Sequence, residues 1–418
     1  MTQFKKQIFS VITASTLVLN TAGAAFASTT IEVSQNGAGS DNTVTVSQSN
    51  NTNVTQNNTA TVTNVVSSTA NSGDNKANFN TGGDVTVTSG NASSTTNVQN
   101  ALNSNAAQVD CCAAGNTNVT VGNNGAFSNN DVQLTDKNTN KVTQDNKAFV
   151  WNSVNSDANT GGNNAGFNNG GDVTVKSGAA NTSTNVKTQA NANTAVVGGV
   201  LGGAMVTPTA SFNILENGAG SQNNITAKLT NATTIDQDNL AWVTNMVTDN
   251  ANSGDNRANF NAGGDVYVTA GPATATTEVD TAVNFNYAAA DCGCLTNVAL
   301  KVAKNGAGFG IFASDSDINL TLANSKVYGQ DNASFLTNLV SDDATSGNNG
   351  ASFNVGEGNG LSDPSVTNYG ATSSTTVSNS GNMNTIGGAN PMVWQLPNTN
   401  VSVSLNFAAL LAYFGLSM

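Results

Sequence analysis

The stretch from Gln56 to Asp84, QNNTATVTNVVSSTANSGDNKANFNTGGD, returns three more times in the chain, beginning at Gln144, Gln237 and Gln330. Those starts lie 88, 93 and 93 residues apart. A long fixed period signals stacked or arrayed units, in which neighbours bury what one unit cannot bury alone. Inside the unit the alignment is free of insertions. Gln56, Gln144, Gln237 and Gln330 run in register with Asn64, Asn152, Asn245 and Asn338, and then with Phe79, Phe167, Phe260 and Phe353. The expected consequence is one column of like residues for each of these positions.

Within each unit short runs alternate apolar and polar residues, as in Val44-Thr45-Val46, Ala60-Thr61-Val62 and Val85-Thr86-Val87. Period two with β-branched residues predicts half-buried strands, and Gly-Asp-Asn and Gly-Gly-Asp at 73–75 and 82–84 read as turns. The fold class is therefore all-β. A β-solenoid built of four long repeats, each wound into several coils of short strands, is preferred because the turns are dominated by Asn and Gly. Tandem β-sandwich domains are the alternative, since about 90 residues suffice for a small sandwich.

An Asn-Gly-Ala turn recurs at Asn36, Asn124, Asn217 and Asn305 and marks the repeat boundaries. The organisation read from it is a leader over 1–27, repeat one with its N-terminal strand over 28–123, repeat two over 124–216, repeat three over 217–304, repeat four over 305–406, and an apolar tail over 407–418. The fourth repeat carries a five-residue insertion near Phe309 to Ser314.

The leader combines Lys5 and Lys6, an apolar run from Ile8 to Leu19 and a small-x-small site at Ala25-Phe26-Ala27, which is the pattern of a secretory signal. The rest of the chain has no apolar run near the ~20 residues a membrane-spanning helix needs. With 13 Lys and Arg against 26 Asp and Glu, the formal net charge is −13, and no basic cluster exists to meet phosphates. Nucleic acid is not an expected partner. Only 9% of residues are charged, so the surface is mostly neutral amide and hydroxyl, which suits a regular β stack. Disorder competes with this reading on composition alone, and the strict register stands against it.

The chain contains no histidine, which removes Ser-His-Asp and Cys-His machinery and the commonest general base. Asp84, Asp172 and Asp265 recur after Gly-Gly, as architecture does and as a catalytic group does not. They are read as turn residues, with calcium binding there as the minor alternative; no other cofactor and no enzymatic activity is expected. The recurring Gln and Asn are read as ladders whose amides hydrogen-bond from layer to layer, beside the simpler role of Asn capping its own turn.

Four cysteines come in two close pairs, Cys111 with Cys112 and Cys292 with Cys294. With ~20 residues and ~4.8 Å per coil the pairs stand roughly 40 Å apart, too far for a bridge between them. Local disulfides are expected, with an intermolecular crosslink second and a metal third.

The chain does not end on a whole repeat. Asn398 to Val403 matches Asn116 to Val121, yet no Asn-Gly-Ala turn follows, and the chain closes with FAALLAYFGLSM. The mature start, Ile31 and Val33, is the strand that immediately precedes such a turn. Each end lacks what the other supplies, so copies are expected to join head to tail, and contacts of that kind grow fibres because they do not close. Ile31, Val33, Phe407, Leu410, Leu411, Tyr413 and Phe414 form the expected assembly interface, the tail adding to the next copy in the manner of strand addition. The competing readings have the tail capping its own fold or acting as an outer-membrane or cell-wall retention signal.

The segment Val33 to Asn42, VSQNGAGSDN, followed by Val46-Ser47-Gln48, resembles the curlin repeats of secreted functional amyloids in biofilms. ANSGDNKANFNTGGDVTVTSGNA is similar to the Asn/Thr-rich repeats of secreted β-solenoid surface proteins of bacteria. Both resemblances imply an extracellular structural role. The expectation is a secreted, self-assembling subunit of an extracellular filament serving adhesion or biofilm matrix. The alternative is a monomeric surface adhesin or glycan binder using aromatics such as Trp151 and Trp242, which are themselves expected to fill core or groove.

Overall fold

The computed structural model describes residues 9–12, 18–22, 29–109, 117–198, 209–290, 297–306, 314–356, 364–387, 394–395 and 402–403. Among them there is no helix, and the strands form parallel sheets, an arrangement compatible with a β-solenoid. One short pair, Trp394–Gln395 with Ser402–Val403, is antiparallel.

The dominant elements are four strands of 31 residues, Asp41–Asn71, Asn129–Asn159, Gln222–Asn252 and Asp315–Thr345. They pair in sequence order along their whole length, with Gln56 opposite Gln144, Gln144 opposite Gln237 and Gln237 opposite Gln330. Ala92–Val109, Ala180–Val197, Ala273–Ala290 and Ala371–Ile386 pair in the same order in a second sheet. Thr29–Ser34, Thr117–Gly122, Thr209–Leu215 and Asn297–Ala303 make a third.

These lengths correct the expectation of short strands and several coils per unit. Backbone partners are 88 or more residues apart, so each stretch of that length contributes a single turn, called here a layer. At ~3.3 Å per residue the long strand runs for about 100 Å. Tandem sandwiches would pair antiparallel strands within each unit; here the pairing is parallel and between units. The insertion in the fourth layer falls where the sequence places it: Asn217 bonds Asn305 across 88 residues, whereas Gln222 pairs with Asp315.

Why the long strand holds together is visible in its alternation. From Val44 to Ala70 the even-numbered residues, apart from the exposed Gln48, face inward, and the series Val, Val, Asn, Thr, Val, Gln, Asn, Ala, Val, Asn, Val, Ser, Ala mixes apolar with amide and hydroxyl groups. The 18-residue strand runs back across it. Val54, Val142 and Ile235 pack against Ala107, Val109 and their counterparts, Val66, Val154 and Val247 against Val98, Val186 and Val279, and Ala158 and Ala251 against Ala92, Ala180 and Ala273. The first third of the long strand packs on the short third sheet, where Phe212 and Ile214 are fully buried. Small cores of this kind recur along the layer because each layer is only two strands thick.

Corners are made by a left-handed residue followed by Asn. In the first layer these are Gln35-Asn36, Asp74-Asn75 and Phe79-Asn80, and the same three corners recur in all four layers. The glycine of the Asn-Gly-Ala turn is required by stacking: a Cβ on Gly125 would collide with the backbone of Gly37 and Ala38 in the layer above.

Within the expected leader, Phe9–Ile12 and Val18–Ala22 pair parallel with Ala92–Val109. Among the described residues no helix is long and apolar enough to cross a membrane.

Candidate functional site

The glutamine column forms an unbroken ladder. Gln144 Nε2 donates to Gln56 Oε1, Gln237 Nε2 to Gln144 Oε1 and Gln330 Nε2 to Gln237 Oε1, each at 2.7 Å. Each amide also donates across the core to a carbonyl of the facing strand in the second sheet: Ala106, Thr194, Tyr287 and Thr385. The asparagine column runs with the opposite polarity: Asn64 donates to Asn152, Asn152 to Asn245 and Asn245 to Asn338, again at 2.7 Å. Gln144, Gln237, Asn152 and Asn245 are fully buried, so the ladder satisfies groups that would otherwise be costly to enclose.

Further columns carry the same chemistry and were not singled out from sequence. Asn58, Asn146, Asn239 and Asn332 donate to Asn105, Asn193, Asn286 and Asn384 of the facing strand, tying the two walls of each layer together. Asn103, Asn191, Asn284 and Asn382 take left-handed conformations inside the strands of the second sheet and bond one another from layer to layer. The signal that could have found them is the recurrence of Asn at one offset in every copy.

The phenylalanine column is stacked and lies on the outside. Ring centroids are 5.1 Å apart for Phe79 and Phe167, 5.0 Å for Phe167 and Phe260, and 4.8 Å for Phe260 and Phe353, with planes within 7° of parallel. All four occupy the left-handed region, at φ between 56° and 62°. That conformation costs roughly 1–2 kcal/mol for an L-residue, and the ring stack offsets part of it. The end rings Phe79 and Phe353 are 74% and 75% exposed, against 54% and 48% for Phe167 and Phe260, because each end ring has one face uncovered.

Trp151 and Trp242 do not fill the core. Both are about half exposed on the outer face of the long strands, at 47% and 51%, beside Phe149 and Phe335. Trp242 aligns with Phe149, and Trp151 with Thr244 two residues further on, so the aromatics share one face.

Asp84 and Asp172 act within the turn stack. Asp84 Oδ1 accepts the backbone N–H of Asp172 at 2.9 Å, and Asp172 Oδ1 accepts that of Asp265 at 2.8 Å. Two other carboxylates are enclosed. Asp249 accepts hydrogen bonds from Thr184 at 2.6 Å and Thr277 at 2.8 Å, and burial pushes its carboxyl above the ordinary carboxylate range. Asp280 stands 3.8 Å from Lys187, and burial, with Glu278 beside it, raises its pKa to about 6.

Of the residues expected at the assembly interface, Ile31 and Val33 have side chains buried in the core of their own layer, while Thr30 and Glu32 of the same strand are exposed. Phe407, Leu410, Leu411, Tyr413 and Phe414 lie outside the described residues, as do Cys111, Cys112, Cys292 and Cys294. Val109 pairs with Val197 and Val197 with Ala290, so the strand ends leading to the two cysteine pairs are two layers apart, about 10 Å and not the roughly 40 Å expected from the sequence.

Among the described residues the long-strand sheet has two unpaired edges: Asp41–Asn71 ends it on one side and Asp315–Thr345 on the other. Comparison with family models, with curated proteins and with solved structures returns no match for this chain.

Proposed function

We propose that this chain is a secreted, non-catalytic structural subunit. In this reading it is a β-solenoid of four single-turn repeats whose copies stack head to tail into an extracellular filament, serving adhesion or matrix at the cell surface. The observation that supports the reading best is the pair of open 31-residue edges, alike in length and side-chain columns, at opposite ends of one sheet. Unpaired strand edges template further pairing unless they are covered, charged or broken by proline. Neither edge strand contains proline, and Asp41–Asn71 carries a single charged residue.

A heterologous contact between two different edges propagates without closing, which yields a fibre and not a ring. The ladders support head-to-tail over head-to-head contact, because each amide column keeps one direction along its own length and so ends in donors on one side and acceptors on the other. The curlin-like segment and the leader-like N-terminus support the extracellular part of this reading.

Negative-stain electron microscopy of residues 28–418 at neutral pH tests it, with fibre diffraction beside it. Thin uniform fibres about 100 Å across their wide face, with a meridional reflection near 4.8 Å, are expected. Particles that stay single at high concentration would overturn the filament.

A second reading, the surface glycan binder, draws on the exposed group Phe149, Trp151, Trp242 and Phe335. It predicts quenching or shift of tryptophan fluorescence on titration with a cell-wall polysaccharide, abolished in Trp242→Ala. No change at saturating polysaccharide would dismiss it.

A further inference from the structure

We infer that copies of this chain join in the same register that joins its own layers. Asp315–Thr345 of one copy lies parallel to Asp41–Asn71 of the next, with Gln330 opposite Gln56, Asn338 opposite Asn64 and Phe353 stacked on Phe79. This rests on the head-to-tail reading above and specifies its interface, which is formed by the coil edges.

The glutamine ladder carries the argument. The Oε1 atoms of Gln56, Gln144 and Gln237 each accept a hydrogen from the glutamine of the following layer. Gln330 Oε1 is buried and has no partner among the described residues. An enclosed carbonyl without a donor is costly, and a fifth layer led by a copy of Gln56 supplies that donor in the geometry used three times already.

The rings make the same demand at another corner of the layer. Phe79 and Phe353 each leave one face uncovered, at opposite ends of a column whose spacing is 4.8 to 5.1 Å. Joining the copies in register places these two faces together and extends the column without a gap. A slip of two residues along the strand would keep the backbone bonds and lose both the ring stack and the Gln330 partner.

Charge is compatible with the register. Asp317, Asp331, Asp342 and Asp343 of the last long strand meet Thr43, Asn57, Ser68 and Thr69 of the next copy. Asp315 meets Asp41, the one like-charged pair along these strands. Joining last edge to last edge would instead set acidic strand against acidic strand, which disfavours contact of like ends.

The test uses Ser67→Cys combined with Ser341→Cys in the full mature chain, both positions being exposed on the outer face. Within one molecule they are three layers apart, about 14 Å, too far for a disulfide; across an in-register junction they are about 5 Å apart. Oxidation of assembled fibres is expected to give a covalent multimer ladder and, by mass spectrometry, a peptide linking position 67 to position 341. The native cysteines do not confuse this readout, because the linked peptides are identified by mass. A control pair, Ser67→Cys with Thr345→Cys, is displaced by four residues and is expected not to link.

Fibres that form without the 67–341 link, or that link the displaced pair equally well, overturn the register and leave the filament standing. Absence of fibres from the unsubstituted chain overturns both. A second measurement avoids dependence on cysteine. Phe353→Asp and Phe79→Asp each place a carboxylate in the ring column at one end, so each alone is expected to weaken the junction about two- to tenfold. A mixture of the two has intact junctions only between unlike variants and is expected, by analytical ultracentrifugation, to be enriched in dimers and shorter than fibres of the unsubstituted chain. A mixture with the length distribution of the unsubstituted chain would contradict the assignment.

Discussion

Gln237 donates its Nε2 hydrogen to Gln144 Oε1 at 2.7 Å, although 93 residues separate the two along the chain. Both side chains are fully buried, and each also donates to a carbonyl of the facing strand. The bond does two things at once. It satisfies an amide in the core and it fixes which layer residue lies under which, because a slipped register would leave polar atoms enclosed and unpaired.

The asparagine column gives the first test of that cost. Asn152 accepts from Asn64 at 2.7 Å and from Asn100 at 3.1 Å and donates to Asn245 at 2.7 Å. Asn152→Ala is expected to destabilise the fold by about 2–5 kcal/mol, since several buried partners lose their bonds together. Asn338→Ala, at the open last layer, is expected to cost less than ~1 kcal/mol. Urea denaturation of the two variants checks the difference.

Enclosed acids set the pH dependence. Burial raises the carboxyl of Asp249, and burial with Glu278 raises that of Asp280 to about 6. A raised folded-state pKa means that the folded chain takes up the proton before the unfolded chain does. Stability therefore rises as pH falls from 7 through about 6 toward the unfolded carboxylate value near ~3.9. Thermal melts at pH 7 and pH 5 are expected to show the higher midpoint at pH 5. Asp249→Asn is expected to raise the pH 7 midpoint and to flatten the profile; an unchanged profile would contradict the assignment.

At Phe167 backbone conformation and ring stacking can be separated. The residue sits at φ 59° between two stacked rings. Phe167→Gly loses the rings and relieves the left-handed strain, whereas Phe167→Val loses the rings and adds a β-branched side chain in a conformation it resists. The valine variant is expected to be less stable than the glycine variant by about 1–2 kcal/mol in chemical denaturation. Equal stability would mean that the corner relaxes.

Chelation addresses the Gly-Asp turns. Asp84 and Asp172 each use one carboxylate oxygen on the backbone of the next layer. Excess EDTA is expected to leave the melting midpoint unchanged. A fall reversed by added calcium would establish a metal role that these hydrogen bonds do not require.

Much of the architecture was legible in the chain. The 88- and 93-residue spacings name the layers, and the insertion-free alignment of Gln56, Asn64 and Phe79 with their counterparts names the columns that the backbone pairing joins. Side-chain period two identifies strands from local sequence, and like residues at one offset identify what stacks, because parallel in-register pairing sets identical positions side by side.

The tertiary structure decided how many turns each repeat makes. Gln48, Asn50, Thr52, Gln56 and Asn58 interrupt the apolar alternation of Asp41–Asn71, and read locally they break one strand into several. Asn50, Gln56 and Asn58 face inward like the valines beside them, a placement that holds only when the next layer completes their hydrogen bonds. The exposure of Phe79 and Trp242 was decided in the same way. Hydrophobicity alone would draw those rings inward, and only the corner geometry and strand parity of the folded layer place them on the surface.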